Sequence, residues 1–108
     1  MGGKASRTKG ARGELEVGKL IAAAGFHGAR MGRNGYSAED VDHSVPNVHF
    51  EVKRTEKIHL PAWLRQAEDC AEEGETPIVA FRQSHQPWRA VVPLEWLLEL
   101  LADKHGVR

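Results

Sequence analysis

The chain has 108 residues, a formal net charge of zero, 28% charged residues and 41% hydrophobic residues, values typical of one small globular domain. No run of about 18 apolar residues is present, which excludes a predicted membrane-spanning helix, and the first residues lack the apolar core of a signal peptide. The single cysteine, Cys70, excludes an internal disulfide and favours a reducing compartment. We therefore expect a cytoplasmic protein with no membrane partner.

The basic charge is concentrated near the N-terminus. Residues 1–33 carry seven basic and two acidic residues, a net of +5, whereas residues 34–60 and 61–108 carry nets of −2 and −3. This asymmetry indicates a polyanionic partner that approaches from one side. The alternative is a solvated basic tail. Residues 1–9 show no apolar periodicity, so we expect a flexible basic arm at 1–9 and one domain at 10–108.

The spacing of apolar residues predicts three helices. The first ends near Gly25, which follows an apolar face spaced as i, i+3, i+4, i+7. Pro61 suits the first turn of the second helix, and Pro93 suits the first turn of the third. The third helix is rich in leucine. The predicted helices span residues 10–24, 61–73 and 94–102.

Strand signals occupy the intervening segments. The clearest is 48–53, where apolar and polar residues alternate strictly. Turn signals lie at Asn34 and Gly35 and at Pro46 and Asn47. They separate this strand and the extended segments before it, and they favour an antiparallel hairpin or meander. The other predicted extended segments are 26–33, 39–42, 78–81 and 89–92. The order α-β-β-β-α-β-β-α predicts a mixed α/β domain, with a central sheet of about five strands flanked by helices.

Acidic and basic residues collect around the strand at 48–53. Glu51 and Lys53 share one face of it, which by itself is typical of a solvated strand face. Asp40 lies on the preceding extended segment, and Glu14 borders the buried face of the first helix. Carboxylates on neighbouring strands can converge within about 5 Å, and magnesium is usually held by one or two carboxylates. Since a divalent cation activates water for phosphodiester cleavage, the pattern favours a metal-dependent phosphodiesterase in which Lys53 stabilises charge on the phosphate.

Four stretches together resemble the archaeal-type Holliday junction resolvases and their phage-encoded relatives. They are KGARGELEVGKLIAAAGF at 9–26, EDV at 39–41, FEVKR at 50–54 and TPIVAFRQSHQPWRAVVPLEWLLELL at 76–101. Their order and spacing carry the resemblance, which covers nearly all of residues 9–101. It implies a single restriction-endonuclease-like domain of the PD-(D/E)XK superfamily and a homodimer that acts on four-way DNA junctions.

The resemblance also implies roles for individual residues. Glu14, Asp40 and Glu51 would bind Mg²⁺, for which Mn²⁺ can substitute, together with the backbone carbonyl of Val52. Lys53 would be the active-site lysine, so that the catalytic set is Glu14, Asp40, Glu51 and Lys53.

The identity of the motif aspartate stays open between two residues. Related chains usually have proline, glycine or a small polar residue before it, whereas here Glu39 precedes Asp40. Asp42 shares the face of Asp40 if the segment is extended. We favour Asp40 because of the hydrophobic residue after it and its spacing to Glu51.

Basic and amide side chains around these acids are candidates for DNA contacts, with ordinary solvent-exposed residues as the alternative. Either Arg30 or Arg33 would match a basic residue that contacts phosphate in the related enzymes, and Gln66 would match a glutamine of the superfamily. The full set of DNA-binding candidates is Lys4, Arg7, Lys9, Arg12, Arg30, Arg33, Arg54 and Gln66.

The remaining metal-ligating and aromatic residues give weaker signals. The six histidines form no His-x3-His pair and there is no Cys-x2-Cys pair, so we predict no dedicated zinc site. Trp63, Trp88 and Trp96 are expected in the core or at a dimer interface rather than as base-stacking platforms. Cys70 is expected to act as a small apolar residue on a helix face, and either it or Ala71 ends the apolar face of the second helix.

The sequence therefore predicts a Mg²⁺-dependent endonuclease that resolves Holliday junctions by paired symmetric nicks, in a nucleoid or in the cytoplasm of a phage-infected host. One alternative is another nuclease of the same fold that acts on nicks, flaps or recombination intermediates. The other is a DNA-binding module of this fold without catalysis.

Overall fold

The computed structural model describes residues 3–26, 29–30, 42–43 and 45–107 of the chain. Within these residues, three helices and five strands follow one another in the predicted order. They are α1 (Gly3–Ala23), β1 (Ala29–Arg30), β2 (Asp42–His43), β3 (Val48–Arg54), α2 (Leu60–Cys70), β4 (Thr76–Arg82), β5 (Arg89–Val91) and α3 (Leu94–His105). None of the helices in this described part is long and apolar enough to cross a membrane.

The five described strands divide between two sheets. β1 and β2 form an antiparallel pair, as the hairpin signals predict. β3 pairs in parallel with β4, and β4 pairs antiparallel with β5. The structure thus shows a small α/β domain with a three-stranded mixed sheet, and a single five-stranded sheet is not confirmed. The parallel β3–β4 pairing requires a crossover, which α2 supplies.

The helix α1 packs on one face of the three-stranded sheet. A Cβ atom placed on Gly13 would lie 2.9 Å from Cβ of Arg54 and 3.6 Å from Cγ1 of Val52. The missing side chain of Gly13 therefore allows a close approach of the helix to β3. Because side chains alternate along a strand, Glu51 and Lys53 lie on the opposite face.

The opposite face of the sheet is covered by α2. Trp63 and Ala67 form the buried core cluster with Val79, which is 0% exposed. Val79 pairs in register with Glu51, so α2 lies on the same side of the sheet as Glu51. The rings of Trp63 and Phe81 lie 5.8 Å apart at 47°, and the prediction that Trp63 belongs to the core is confirmed.

Three helix boundaries differ from the predicted ones. The backbone of residues 3–9, expected to be an arm, forms the beginning of α1, where lysine, arginine and alanine are good helix formers. The second helix stops at Cys70 because Ala71 takes an extended conformation. The third continues to His105 and ends at Gly106, which has a φ of 66°, the left-handed conformation that glycine adopts at low cost.

Cys70 does not have the environment that the sequence predicts. It is exposed, whereas Ala71 is half-buried. The buried face of α2 passes through Trp63 and Ala67 at a spacing of four residues, and the next position on that face is Ala71. The expectation that Cys70 fills an apolar face is therefore wrong.

Candidate active site

Glu51 lies at the centre of a polar cluster on the α2 side of β3. Its side chain is 13% exposed, and Nε2 of His49 lies 3.3 Å from its Oε1 atom. Nζ of Lys53 lies 3.3 Å from its other oxygen, Oε2. The three residues are spaced two apart on one strand, which places their side chains on the same face. Each oxygen of the carboxylate therefore has a different partner.

Gln66 completes this cluster from α2. Nζ of Lys53 donates a hydrogen bond of 2.8 Å to Oε1 of Gln66. The neighbouring Ala67 is 1% exposed in the core, so the packing of α2 fixes where Gln66 meets the strand. The structure thus brings together three residues that the sequence identifies as functional candidates, Glu51, Lys53 and Gln66.

Glu14, the third predicted catalytic residue within the described part, lies elsewhere. It is exposed on α1, and α1 packs on the face of β3 that carries Val52. The described residues include no hydrogen bond or ion pair that joins Glu14 to Glu51 or Lys53. The structure does not bring Glu14 into the polar cluster, and its role as a metal ligand stays a prediction.

Of the two candidates for the motif aspartate, the structure describes the backbone of Asp42 alone. Asp40 and Arg33 lie outside the described residues. The backbone of Asp42 pairs with that of Arg30 between β2 and β1, and the side chains of both lie outside the described part. The remaining predicted metal ligand is the backbone carbonyl of Val52, a residue of β3 that pairs in register with Ala80 of β4.

Two of the predicted DNA contacts are engaged by Glu56. The side chain of Arg54 is 11% exposed, and its Nη1 atom lies 3.0 Å from Oε2 of Glu56. Its Nη2 atom donates a hydrogen bond of 3.0 Å to Oγ of Ser84. Lys9 lies 3.4 Å from the same carboxylate. Ser84 donates to Glu56 from Oγ at 2.6 Å and from its backbone N–H at 3.1 Å. The hydroxyl bond from Ser84, followed by the bond from Arg54, lowers the pKa of Glu56 to about 2.

Three further basic candidates, Lys4, Arg7 and Arg12, belong to α1. Lys4 and Arg7 lie on its helical backbone, with side chains outside the described part. Arg12 is exposed to solvent. The predicted basic segment is therefore carried, at least along residues 3–12, by a helix.

A second ion-pair network was not foreseen from the sequence. Glu16 of α1 accepts a hydrogen bond of 2.8 Å from Nε1 of Trp88 and lies 3.2 Å from Nε of Arg82. The guanidinium of Arg82 in turn lies 5.8 Å from the centre of the Trp88 ring. The Trp88 bond, together with Arg82, lowers the pKa of Glu16. A buried indole N–H usually requires an acceptor, and this was the available signal that Trp88 has a polar partner.

The polar cluster offers donors of two kinds to a metal. Glu51 supplies a carboxylate oxygen, which suits magnesium, and magnesium retains several waters when protein ligands are few. In the described part, ligand atoms of His49, Glu51 and Cys70 also lie within 4.8 Å of one another. Within the described part, Glu51 is the one predicted carboxylate ligand in the cluster, and the binding of magnesium there stays a prediction.

Comparison of the chain with models of protein families, with curated proteins and with solved structures found no match.

Proposed function

We propose that the protein is a Mg²⁺-dependent, structure-specific endonuclease that resolves four-way DNA junctions by paired symmetric nicks. The observation that supports this most directly is the position of the Lys53 ammonium, between the Glu51 carboxylate at 3.3 Å and the Gln66 amide at 2.8 Å. A carboxylate on this strand face can hold a metal ion, and a lysine beside it can stabilise negative charge that develops on a phosphate. The restriction-endonuclease-like fold is part of this proposal.

In this proposal Glu51 and Asp40 hold the metal ion, and the Val52 carbonyl and Glu14 are the further ligands that the resemblance implies. A magnesium or manganese ion bound there would polarise the phosphoryl oxygens and lower the pKa of the attacking water. Lys53 would stabilise the negative charge that develops on the phosphate. Gln66 would act as a positioning residue, because its amide oxygen holds the Lys53 ammonium in place.

The charge distribution supports DNA as the substrate. Residues 1–33 carry a net of +5, and α1 carries four of the basic candidates, Lys4, Arg7, Lys9 and Arg12. Such residues would contact phosphates without reading bases. Binding should therefore weaken steeply as salt concentration rises.

The exposed face of α3 supports a homodimer. None of the residues of α3 is buried, and Leu94, Leu98 and Leu101 are 66%, 52% and 40% exposed. Their spacing of i, i+4, i+7 places them on one face of the helix. An apolar groove lined by Leu64 and Val91, among others, opens between α2 and the end of β5. A two-fold dimer formed through these surfaces would match the two-fold symmetry of a junction.

The test is cleavage of a synthetic four-way junction in Mg²⁺ by the wild-type chain and by Glu51→Ala and Lys53→Ala. We expect paired symmetric nicks from the wild type and a loss of about 100-fold or more in each variant, the magnitude typical of removing a group that stabilises transition-state charge. Glu73→Ala and Lys104→Ala are matched controls, because both side chains are exposed and lie outside the polar cluster. These controls should cleave as the wild type does.

The other outcomes separate the alternatives. Tight junction binding without cleavage in either Mg²⁺ or Mn²⁺ would refute the enzyme and favour a DNA-binding module. Single nicks in flaps or nicked duplex, with intact junctions, would favour a related nuclease of the same fold. Equal cleavage by the wild type and Lys53→Ala would refute the role given to the polar cluster.

A further inference from the structure

Three side chains with different metal-ligating atoms meet on the α2 side of β3. His49 and Glu51 lie two residues apart on the strand, and Cys70 is the last residue of α2. Their ligand atoms, an imidazole nitrogen, a carboxylate oxygen and a thiol sulfur, lie within 4.8 Å of one another. Residues this far apart in the chain form none of the short ligand spacings by which zinc sites are recognised in sequences.

The distances suit a small tetrahedral ion. Metal–ligand bonds of about 2.0–2.3 Å in a tetrahedral zinc site place the ligand atoms roughly 3.3–3.8 Å apart. Nε2 of His49 and Oε1 of Glu51 are already 3.3 Å apart. The sulfur of Cys70 lies within 4.8 Å of both atoms, on an exposed side chain at the end of a helix, so at most about 1 Å remains to be closed to reach these tetrahedral distances.

The two oxygens of the Glu51 carboxylate have different neighbours. Lys53 lies 3.3 Å from Oε2 of Glu51, whereas His49 lies beside Oε1. A cation between His49 and Cys70 would therefore meet the oxygen that does not carry the ammonium. Lys53 still opposes a dication at this range, so we expect a weaker site than a closed one with four protein ligands.

We propose that His49, Glu51 and Cys70 bind one Zn²⁺ ion, with the fourth position open to water. Nitrogen, oxygen and sulfur together are a donor set that zinc accepts, whereas magnesium requires hard oxygen ligands. Binding occupies the carboxylate of Glu51. As a second consequence, which rests on the proposed function, Zn²⁺ inhibits the Mg²⁺-dependent cleavage of DNA.

The site is tested on the full metal-free chain, without DNA or magnesium, by calorimetric titration with Zn²⁺ and by absorption with Co²⁺ as a substitute ion. We expect one equivalent of Zn²⁺ to bind and a cobalt–thiolate charge-transfer band to appear. Cys70→Ser should abolish the band, and both Cys70→Ser and His49→Gln should weaken zinc binding at least tenfold. His59→Gln and Asp69→Asn, exposed neighbours outside the cluster, are the matched controls and should bind as the wild type does.

A thermal measurement guards against variants that fail to fold. An ion that binds the folded state raises the unfolding temperature, so Zn²⁺ at a concentration that just saturates the wild type should raise it in the wild type and controls, and clearly less in Cys70→Ser. No zinc binding by the wild type would overturn the proposal. Equal binding by the wild type, Cys70→Ser and His49→Gln would overturn it as well.

The failure of this site and the failure of the proposed function are distinguishable. Zinc binding without any nuclease activity would support the site and refute the enzyme, whereas cleavage without zinc binding would do the reverse. If both are present, Zn²⁺ should inhibit the wild type at concentrations at least tenfold below those that inhibit Cys70→Ser. Equal inhibition of the two would overturn the inhibitory consequence.

Discussion

Replacement of Gly13 by alanine tests the close approach of α1 to β3. The added Cβ would lie 2.9 Å from Cβ of Arg54 and 3.4 Å from Cη2 of Trp88. A Cβ atom is bonded directly to the backbone, so Arg54 cannot relieve the contact by changing its rotamer. Either the helix or the strand must move. Gly10, one turn earlier in the same helix, has no atom within 4 Å of the corresponding position.

The two substitutions should change stability in opposite directions. Within a helix, alanine is favoured over glycine by about 0.5–1 kcal/mol, and Gly10→Ala should gain this amount. Overpacking typically costs about 1–3 kcal/mol, which exceeds that gain, so Gly13→Ala should lose roughly 1–2 kcal/mol. For a domain of about this size, 1 kcal/mol shifts the unfolding temperature by about 4–8 °C.

Thermal unfolding followed by circular dichroism, together with urea unfolding, measures both effects. We expect the unfolding temperature to order as Gly10→Ala above wild type above Gly13→Ala. The Gly10→Ala variant controls for the change in helix propensity, because it makes the same substitution in open space. If Gly13→Ala were as stable as Gly10→Ala, α1 would not pack on β3 at this position, and the assignment of Glu51 to the far face of the sheet would rest on its register with Val79 alone.

Three further changes test other parts of the structure. The folded-state pKa of Glu56 is lowered from 4.5 to about 2, so its contribution to stability is present above pH 4.5 and lost as the pH falls toward 2. The difference in unfolding temperature between the wild type and Glu56→Gln should therefore shrink over this range. A difference that is independent of pH would contradict the hydrogen-bond network around Glu56. Trp63→Ala should lower the free energy of unfolding by about 3–5 kcal/mol in urea titrations, because Trp63 is buried. Trp96→Ala, at a half-buried position on α3, should lower it much less, and equal losses would contradict the assigned core. Leu98→Asp should convert the proposed homodimer to a monomer in sedimentation velocity, whereas Glu99→Gln should not, and a Leu98→Asp dimer would exclude this face of α3 as the interface.

Local patterns in the sequence predicted the elements and their order. The alternation at 48–53 becomes β3, and the continuous apolar run at 78–81 becomes the centre of β4, where Ile78, Val79 and Ala80 are buried. These signals depend on a period of two or on burial over a few residues. The pairing of strands has no such local signal, so the parallel alignment of Val48 with Thr76 was not predicted.

The same limit applies to the side chains around the site. The sequence identified Glu51 and Lys53 because they share a strand face, and Gln66 only through the resemblance. It did not identify the partners of Glu16, since Arg82 and Trp88 are 66 and 72 residues away along the chain. Cys70 was assigned to the wrong environment because a shift of one residue on a helix turns a side chain by about 100°.

The hydrogen-bonding capacity of Lys53 links the observed geometry to the proposed chemistry. A lysine ammonium has three donors. Gln66 accepts one at 2.8 Å, and the Glu51 carboxylate lies 3.3 Å away as a counter-ion. With these two groups holding the ammonium from β3 and from α2, a third donor is left for a phosphate oxygen. A lysine restrained in this way loses less side-chain entropy when the anion binds. Under the proposed function, the two neighbours of Lys53 would therefore direct its charge toward the phosphate as well as hold the side chain in place.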